Sequence, residues 1–261
     1  MITFFDVTSS IPGKAWNATA WKTRFSLNFK GIPCKTQWLE YPEIAPVLES
    51  HGIPPYKTKE DGTPYYTVPA ILDVDDETGA VKAKLLDSLA IAKYLDDAYP
   101  DTPRLLPADK AALEEQEQLH ATWLYGMLPT LILLGCGSVG LLNKESQEHF
   151  SRARAKDMYM YNVERLEDVP LTPEHRQELW TQAKASFDNF DALLKEKEAK
   201  NGGPWFTGNK PSFVDCMFGG YFMWAIKVFG EESKEWADIM EWNDGRWARL
   251  VERLKPYASV S

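Results

Sequence analysis

Two short strings in the first hundred residues combine residue types that can hold a small charged ligand. Val68-Pro69 precedes the apolar run Ala70-Ile71-Leu72, which sets a proline at the mouth of a strand, where it has no amide to give the sheet. The open position can serve a ligand. Asp87-Ser88 stands where a second strand ends and a helical spacing begins, with Leu89, Ala92, Leu95 and Tyr99 on one face. Ser88 is therefore the expected N-cap. A helix N-terminus offers unpaired amides and a partial positive charge, so a capping serine there can also bind a carboxylate. Plain helix capping accounts for Asp87-Ser88 taken alone; beside Val68-Pro69 the pair reads as half of a binding site. Metal and dithiol chemistry are poorly provided for. Cys34, Cys136 and Cys216 form no CxxC pair, and His51, His120, His149 and His175 lack metal-ligand spacing. Cys34, just after Pro33 at the start of a strand, reads as a small buried apolar residue.

The elements that must position these strings follow from periodicity. Ile2 to Val7 reads as a first strand, followed by a loop with Ser9, Ser10, Pro12 and Gly13 that ends near Asn17. A helix runs from Ala18 through Trp21, Phe25, Leu27 and Phe29 to a Gly31 C-cap before Pro33. Cys34 to Tyr41 is the second strand, and Pro42 to Tyr66 is irregular apart from a short helix at Ile44 to Ser50. With the strands around Ala70 and before Asp87, the order is β-α-β, a variable connection, then β-β-α, with a right-handed crossover joining the first two strands.

Three prolines in Pro100-Asp101-Thr102-Pro103-Arg104-Leu105-Leu106-Pro107 mark a domain boundary. We expect one domain over residues 1–100 and a second, all-helical domain over residues 109–261. Its expected helices cover Asp109 to Leu134, Glu145 to Asp168, Thr172 to Lys200, Ser212 to Phe229 and Trp236 to Leu254. Ser212-Phe213-Val214-Asp215 is a capping-box pattern with Asp in the usual Glu or Gln position. The uncharged run Ala121 to Leu142 has a membrane-spanning length, but Pro129, four glycines and polar Thr122, Thr130 and Ser138 make it a buried core helix that breaks near Gly135.

The 261-residue chain is 44% hydrophobic and 26% charged, an ordinary globular composition. A formal net charge of -9 argues against an electrostatic grip on nucleic acid or an anionic membrane, so the expected partner is a small molecule or another protein. No basic n-region opens the chain and the cysteines make no disulfide framework, so the cytosol is the expected compartment.

This β-α-β/β-β-α domain, Val-Pro at a strand mouth, acid-Ser pair and capping-box helix in a helical second domain together resemble the cytosolic glutathione transferases. Val68-Pro69 matches the family's cis-proline, Asp87-Ser88 its Glu/Gln-Ser pair, and Ser212 to Asp215 its second-domain capping box. The strings ATAWKTRFSLNFKGIP and YPDTPRL are similar to the fungal class A members, which are related to bacterial glutathione-dependent β-aryl etherases. The resemblance implies a thioredoxin-like first domain, glutathione as cosubstrate without a metal, and a cytosolic homodimer.

It further implies that Ser88 and its amide take the γ-glutamyl carboxylate, that Asp87 faces the γ-glutamyl ammonium, and that Val68, before cis-Pro69, pairs its backbone with the cysteinyl unit. Trp21 and Arg24 shape the site. The family's hydroxyl donor to sulfur precedes an aromatic-basic-x-Arg string, here Trp21-Lys22-Thr23-Arg24; the aligned serine position holds Asn17. Asn17 is the first candidate for activating the thiol, Thr19 the second and Ser10 the third, with N-capping of the first helix an equally good account of Asn17. Tyr125, Met127, Met158, Tyr159 and Tyr161 are the candidates for a hydrophobic-substrate pocket. The implied activity is attack of the glutathione thiolate on an aromatic or aryl-ether electrophile, with low-turnover binding of planar polyphenols as the alternative and a protein-interaction role of the same fold as a third.

Overall fold

The computed structural model describes residues 1–260, with the backbone alone at Leu124. Strand β1 (Ile2–Val7) buries Ile2, Phe4, Phe5 and Val7, and lies between β2 (Cys34–Leu39), which runs parallel to it, and β5 (Ala70–Val74), which runs antiparallel. The hairpin partner β6 (Val81–Leu86) completes the sheet order β2-β1-β5-β6. Between β2 and β5 stand the short helix α2 (Ile44–Ser50) and a two-stranded ribbon, β3 (Lys57–Thr58) with β4 (Pro64–Tyr65). The parallel β1/β2 pair needs a crossover, and α1 (Ala18–Lys30) provides it, ending at Gly31 with φ 67°, a conformation glycine takes without strain. Helix α3 (Ser88–Ala98) follows β6. This is a thioredoxin-like α/β domain, and the remainder of the chain is helical.

The helical part comprises α4 (Lys110–Gly126), α5 (Leu128–Ser138), α6 (Lys144–Ala155), α7 (Pro173–Asn201), α8 (Phe213–Phe229) and α9 (Lys234–Leu254). Three expected helices differ from what forms. The run from Asp109 to Leu134 breaks at Met127, not near Gly135, and α4 and α5 meet at 61° because Pro129 sits in the first turn of α5, where it is tolerated as a helix start. The run from Glu145 ends as a regular helix at Ala155; Met158 is non-helical, Asn162 is left-handed, and residues 156–161 wind as a tight 3-10 turn. The run from Trp236 to Leu254 is kinked within α9, where Trp242 is extended and Asn243, Asp244 and Gly245 are left-handed. Among the described residues no single helix is long and apolar enough to cross a membrane. The capping box forms as expected: Asp215 accepts from the Ser212 amide at 2.8 Å, and Ser212 caps the third residue of α8.

Helix α1 is the shared wall of the two parts. On the sheet side, buried Arg24 donates to Asp6 at 2.9 Å and to Thr36 at 3.1 Å, and Lys30 pairs with Asp96 at 2.7 Å. Asp96 also accepts the amides of Leu105 and Leu106, tying the interdomain connection to the end of α3. On the other side α8 lies against α1 at backbone distance. A Cβ at Gly220 would stand 2.3 Å from the Ala18 carbonyl oxygen, and one at Gly219 would stand 2.7 Å from Phe25, so only glycine admits this approach.

Candidate active site between the sheet and the helices

The placement of α1 against both parts opens a cleft of about 540 Å³ beside its N-terminus. One wall is that N-terminus itself. Asn17 is the N-cap: its Oδ1 accepts the amides of Thr19 and Ala20, each at 3.0 Å, and the Thr19 hydroxyl at 2.6 Å. The Thr19 proton therefore points at Asn17 rather than into the cleft. The Ala18 amide, first in the helix, has no protein acceptor among the described residues, and the Asn17 side-chain amide faces the Tyr41 hydroxyl. Burial pushes the Tyr41 phenol up to about 12, against the opposing influence of Arg154 and the nearby Asn17 side chain, so it stays protonated and able to donate.

The second wall is Thr67 with the cis Val68-Pro69 peptide. Val68 presents its backbone here, and its amide has no acceptor among the described residues. The third wall is the start of α3. The N-cap is Asp87 and not Ser88, correcting the expectation by one residue: Asp87 adopts φ 81°, and its Oδ1 accepts the amides of Leu89 and Ala90 at 2.9 and 3.0 Å. A carboxylate one residue before the first turn reaches these amides, which leaves the Ser88 amide and hydroxyl without protein partners among the described residues. Beside them stand Lys22 of α1 and His120 of α4, with Nζ and Nε2 2.9 Å apart. The fourth wall is apolar and comes from the helical part: Leu128, Leu131, Gly135, Met158 and Trp224, whose indole donates to Ser138 at 2.8 Å. Arg154, paired with Asp157 at 2.8 Å, closes the end near Tyr41.

Asn17, Thr19, Val68, Pro69, Asp87, Ser88 and Met158 thus meet in one cleft, although they are scattered over the chain. Several other sequence candidates lie elsewhere. Ser10 donates to the Leu141 carbonyl at 2.9 Å and lines a separate polar depression, because the β1–α1 loop is pinned to the helical part rather than folded over the cleft. Trp21 packs inside α1 against Phe25, 2% exposed, in the core behind the site. Met127 is fully buried at the α4/α5 bend, whereas Tyr125 and Tyr159 are 82% and 80% exposed on the outer surface. The bend and the 3-10 turn rotate these side chains off the face that a continuous helix would have given them. Tyr161 donates or accepts at His175, 2.7 Å away, outside the cleft.

Lys22, Tyr41, His120, Arg154 and Trp224 were not singled out from sequence. Lys22 carries the one usable signal: it stands four residues after Ala18, hence on the same helix face as the cleft-lining N-terminus. Among the described residues no group of three or more His, Cys, Asp or Glu side chains is arranged to hold a metal ion.

Comparison with known proteins agrees with this architecture. A family model of the glutathione S-transferase N-terminal domain matches residues 18–103, and one of the C-terminal domain matches residues 116–257. The glutathione S-transferase-like protein ustS of Aspergillus flavus is 31% identical over 250 residues, spanning 95% of this chain and 87% of that protein. A glutathione S-transferase of Ceriporiopsis subvermispora, crystallised in complex with glutathione, superimposes with a TM-score of 0.83 at 36% identity over 100% of this chain and 98% of that one. The glutathione transferase GSTFuA3 of Phanerochaete chrysosporium gives a TM-score of 0.83 at 32% identity, again over 100% and 98%. With both domain models matched in order and full-length relatives of the same fold, the chain belongs to the glutathione S-transferase family.

Proposed function

We propose that the protein is a glutathione transferase in which glutathione lies along the cleft and its thiolate attacks a hydrophobic aromatic or aryl-ether electrophile. The observation that carries this reading is the convergence, in one cleft, of two capped helix N-termini, a backbone amide at Val68 with no acceptor among the described residues, and an apolar wall. Each fits a different part of one ligand. The Ser88 amide and hydroxyl receive the γ-glutamyl carboxylate and the second oxygen of Asp87 its ammonium. Val68 pairs with the cysteinyl backbone as a neighbouring strand does. The sulfur then faces the N-terminus of α1.

Only the thiolate is a good nucleophile. Lowering a free thiol from ~8.5 by about two units takes roughly 2.7 kcal/mol of preferential thiolate stabilisation, which a helix N-terminus and one or two donors supply. The donors available here are the Ala18 amide, the Asn17 side-chain amide and the Tyr41 hydroxyl. The thiolate forms a C–S bond at the electrophilic carbon while the bond to the halide, phenolate or similar leaving group breaks and takes its electron pair; a leaving oxygen is then protonated by solvent. Leu128, Leu131, Met158 and Trp224 hold the flat electrophile and exclude water.

In this reading residues 1–100 form the glutathione-binding domain, residues 109–261 supply the electrophile pocket, and the enzyme is a cytosolic homodimer of the fungal class A type, with β-aryl ether cleavage among its reactions. A second reading, a ligand-binding protein with little turnover, is favoured by one feature: Asn17 stands where a hydroxyl donor is expected and the Thr19 proton is turned to Asn17. The ultraviolet absorbance of bound glutathione thiolate, followed against pH, separates the two. A bound thiol that ionises about two units below free glutathione, together with conjugation of activated aryl halides or cleavage of β-aryl ethers, is the result expected of the enzyme. Ionisation at the value of the free thiol points to the binding protein.

A further inference from the structure

Three basic side chains of α1 are buried, and their partners differ. Arg24 has Asp6 at 2.9 Å and Lys30 has Asp96 at 2.7 Å, both nearly solvent-free ion pairs. Lys22 is 5% exposed, and among the described residues no carboxylate lies within 4.0 Å of it. Its Nζ meets only His120 Nε2, at 2.9 Å. An ammonium can only donate, so His120 must accept with a lone pair at Nε2 and carry its proton on Nδ1. Burial and the neighbouring Lys22 charge press the imidazole down to about 4, consistent with a neutral ring. Burial also brings Lys22 down to about 8, with Asp87 pulling the other way, so at neutral pH most of it is charged.

A buried cation facing only a neutral ring is incomplete: desolvation is unfavourable and no counter-charge in contact offsets it. Two of its three N–H donors have no acceptor among the described residues, and the side chain lines the cleft beside Asp87 and Ser88. Asp87 does not close the gap: no oxygen of it lies within 4.0 Å of the Lys22 ammonium, and its Oδ1 is turned to the Leu89 and Ala90 amides. The missing component is an anion supplied from the cleft, at the α3 end rather than at the α1 N-terminus.

We propose that Lys22, oriented across the domain interface by His120, binds the α-carboxylate of the γ-glutamyl group, so that Ser88 and Lys22 grip the carboxylate while Asp87 faces the ammonium. This rests on the glutathione reading above and adds a recognition residue from α1 and a positioning residue from α4. A zwitterionic end group meets one fixed cation and one fixed anion in matching order, which an uncharged or decarboxylated analogue cannot do.

The test uses calorimetric titration with S-methylglutathione, whose blocked thiol removes thiolate ionisation from the measurement. Its companions are an analogue with the γ-glutamyl α-carboxylate replaced by hydrogen and one with the glycyl carboxylate amidated. Lys22→Met is expected to weaken S-methylglutathione and the glycyl amide by roughly ten- to a hundred-fold, the loss of a charge-assisted hydrogen bond, and to leave the decarboxylated analogue within two-fold of wild type. Lys22→Gln, which keeps a donor without the charge, gives the same pattern with a smaller loss. Equal losses on all three ligands, or no loss on any, overturn the assignment. A loss confined to ligands with a free glycyl carboxylate overturns it as well and moves Lys22 to the other end of the tripeptide. Failure of the wild type to bind S-methylglutathione is a different result, and it overturns the glutathione reading itself.

Discussion

Asn17 acts through two atoms, and a substitution that changes one of them separates its two roles. Its Oδ1 caps α1 through the Thr19 and Ala20 amides, while its Nδ2 is the donor placed near Tyr41 at the end of the cleft assigned to sulfur. Asn17→Asp keeps a capping oxygen, and Asp is as good an N-cap as Asn and favourable toward the helix dipole. Stability in urea should therefore stay within about 0.5 kcal/mol of wild type. The same change removes the donor and adds a negative charge beside the thiolate. Loss of a hydrogen bond to a charged group is worth ~1.5–3 kcal/mol, which at 1.36 kcal/mol per unit raises the bound thiol by about 1–2 units before repulsion is counted. Turnover at neutral pH should fall roughly ten-fold or more, with glutathione affinity little changed. Asn17→Ala loses cap and donor together, so it should lose about 1 kcal/mol of stability as well as turnover. Asn17→Ser restores a cap and presents a hydroxyl, and should recover both. The assays are thiolate absorbance against pH, steady-state turnover and urea denaturation on the same preparations. Asn17→Asp with wild-type thiol ionisation and turnover would refute the assignment and leave the Ala18 amide and Tyr41 hydroxyl as the activating donors.

Three further outcomes follow from the geometry. Ser88→Ala should weaken glutathione binding by about ten-fold with kcat nearly unchanged, since its hydroxyl meets the ligand equally in ground and transition states; a fall in kcat alone contradicts this. Gly220→Ala places a methyl group 2.3 Å from the Ala18 carbonyl and should destabilise the protein by roughly 1–3 kcal/mol in urea while weakening glutathione binding through displacement of the α1 N-terminus; an unchanged midpoint would mean that α8 does not pack as described. Lys22→Met should stabilise the unliganded protein at pH 7, by about 3 kcal/mol, because it removes a buried uncompensated charge. The folded value, about 8, lies below the ordinary 10.5, so between these limits the unfolded chain holds the extra proton. Stability contributed by this side chain therefore rises with pH through that window, and the gap between Lys22→Met and wild type should close as the pH approaches 10.5; a gap constant with pH would show that the charge is not the cause.

The strand alternation of Ile2 to Val7, the Gly31 stop and the Ser212–Asp215 box were legible in the sequence because each depends on neighbours within a few residues. The same local rules singled out Val68-Pro69 and Asp87-Ser88, and missed the cap of α3 by one position because a carboxylate and a hydroxyl in adjacent places both satisfy the capping pattern. Side-chain direction was less legible. Tyr125, Met127 and Tyr159 stood out as aromatic or soft side chains on helices expected to run on, but the bend at Met127 and the 3-10 turn after Ala155 break those helices and set where the side chains point. Trp21 and Lys22 are adjacent on α1, yet one faces the core and the other the cleft.

What the sequence by itself determined is the order of the four sheet strands with α1, α2 and α3, the two helix starts that carry unpaired amides and the open amide at Val68. Tertiary structure alone decided that these meet, that Ser10 is held outside, and that Lys22 is buried without a counter-charge against His120, 98 residues away. Caps and periodicity are set by contacts within a turn or two of the chain, whereas burial, desolvation and convergence depend on how α1 is held between the sheet and α8, which no local window contains.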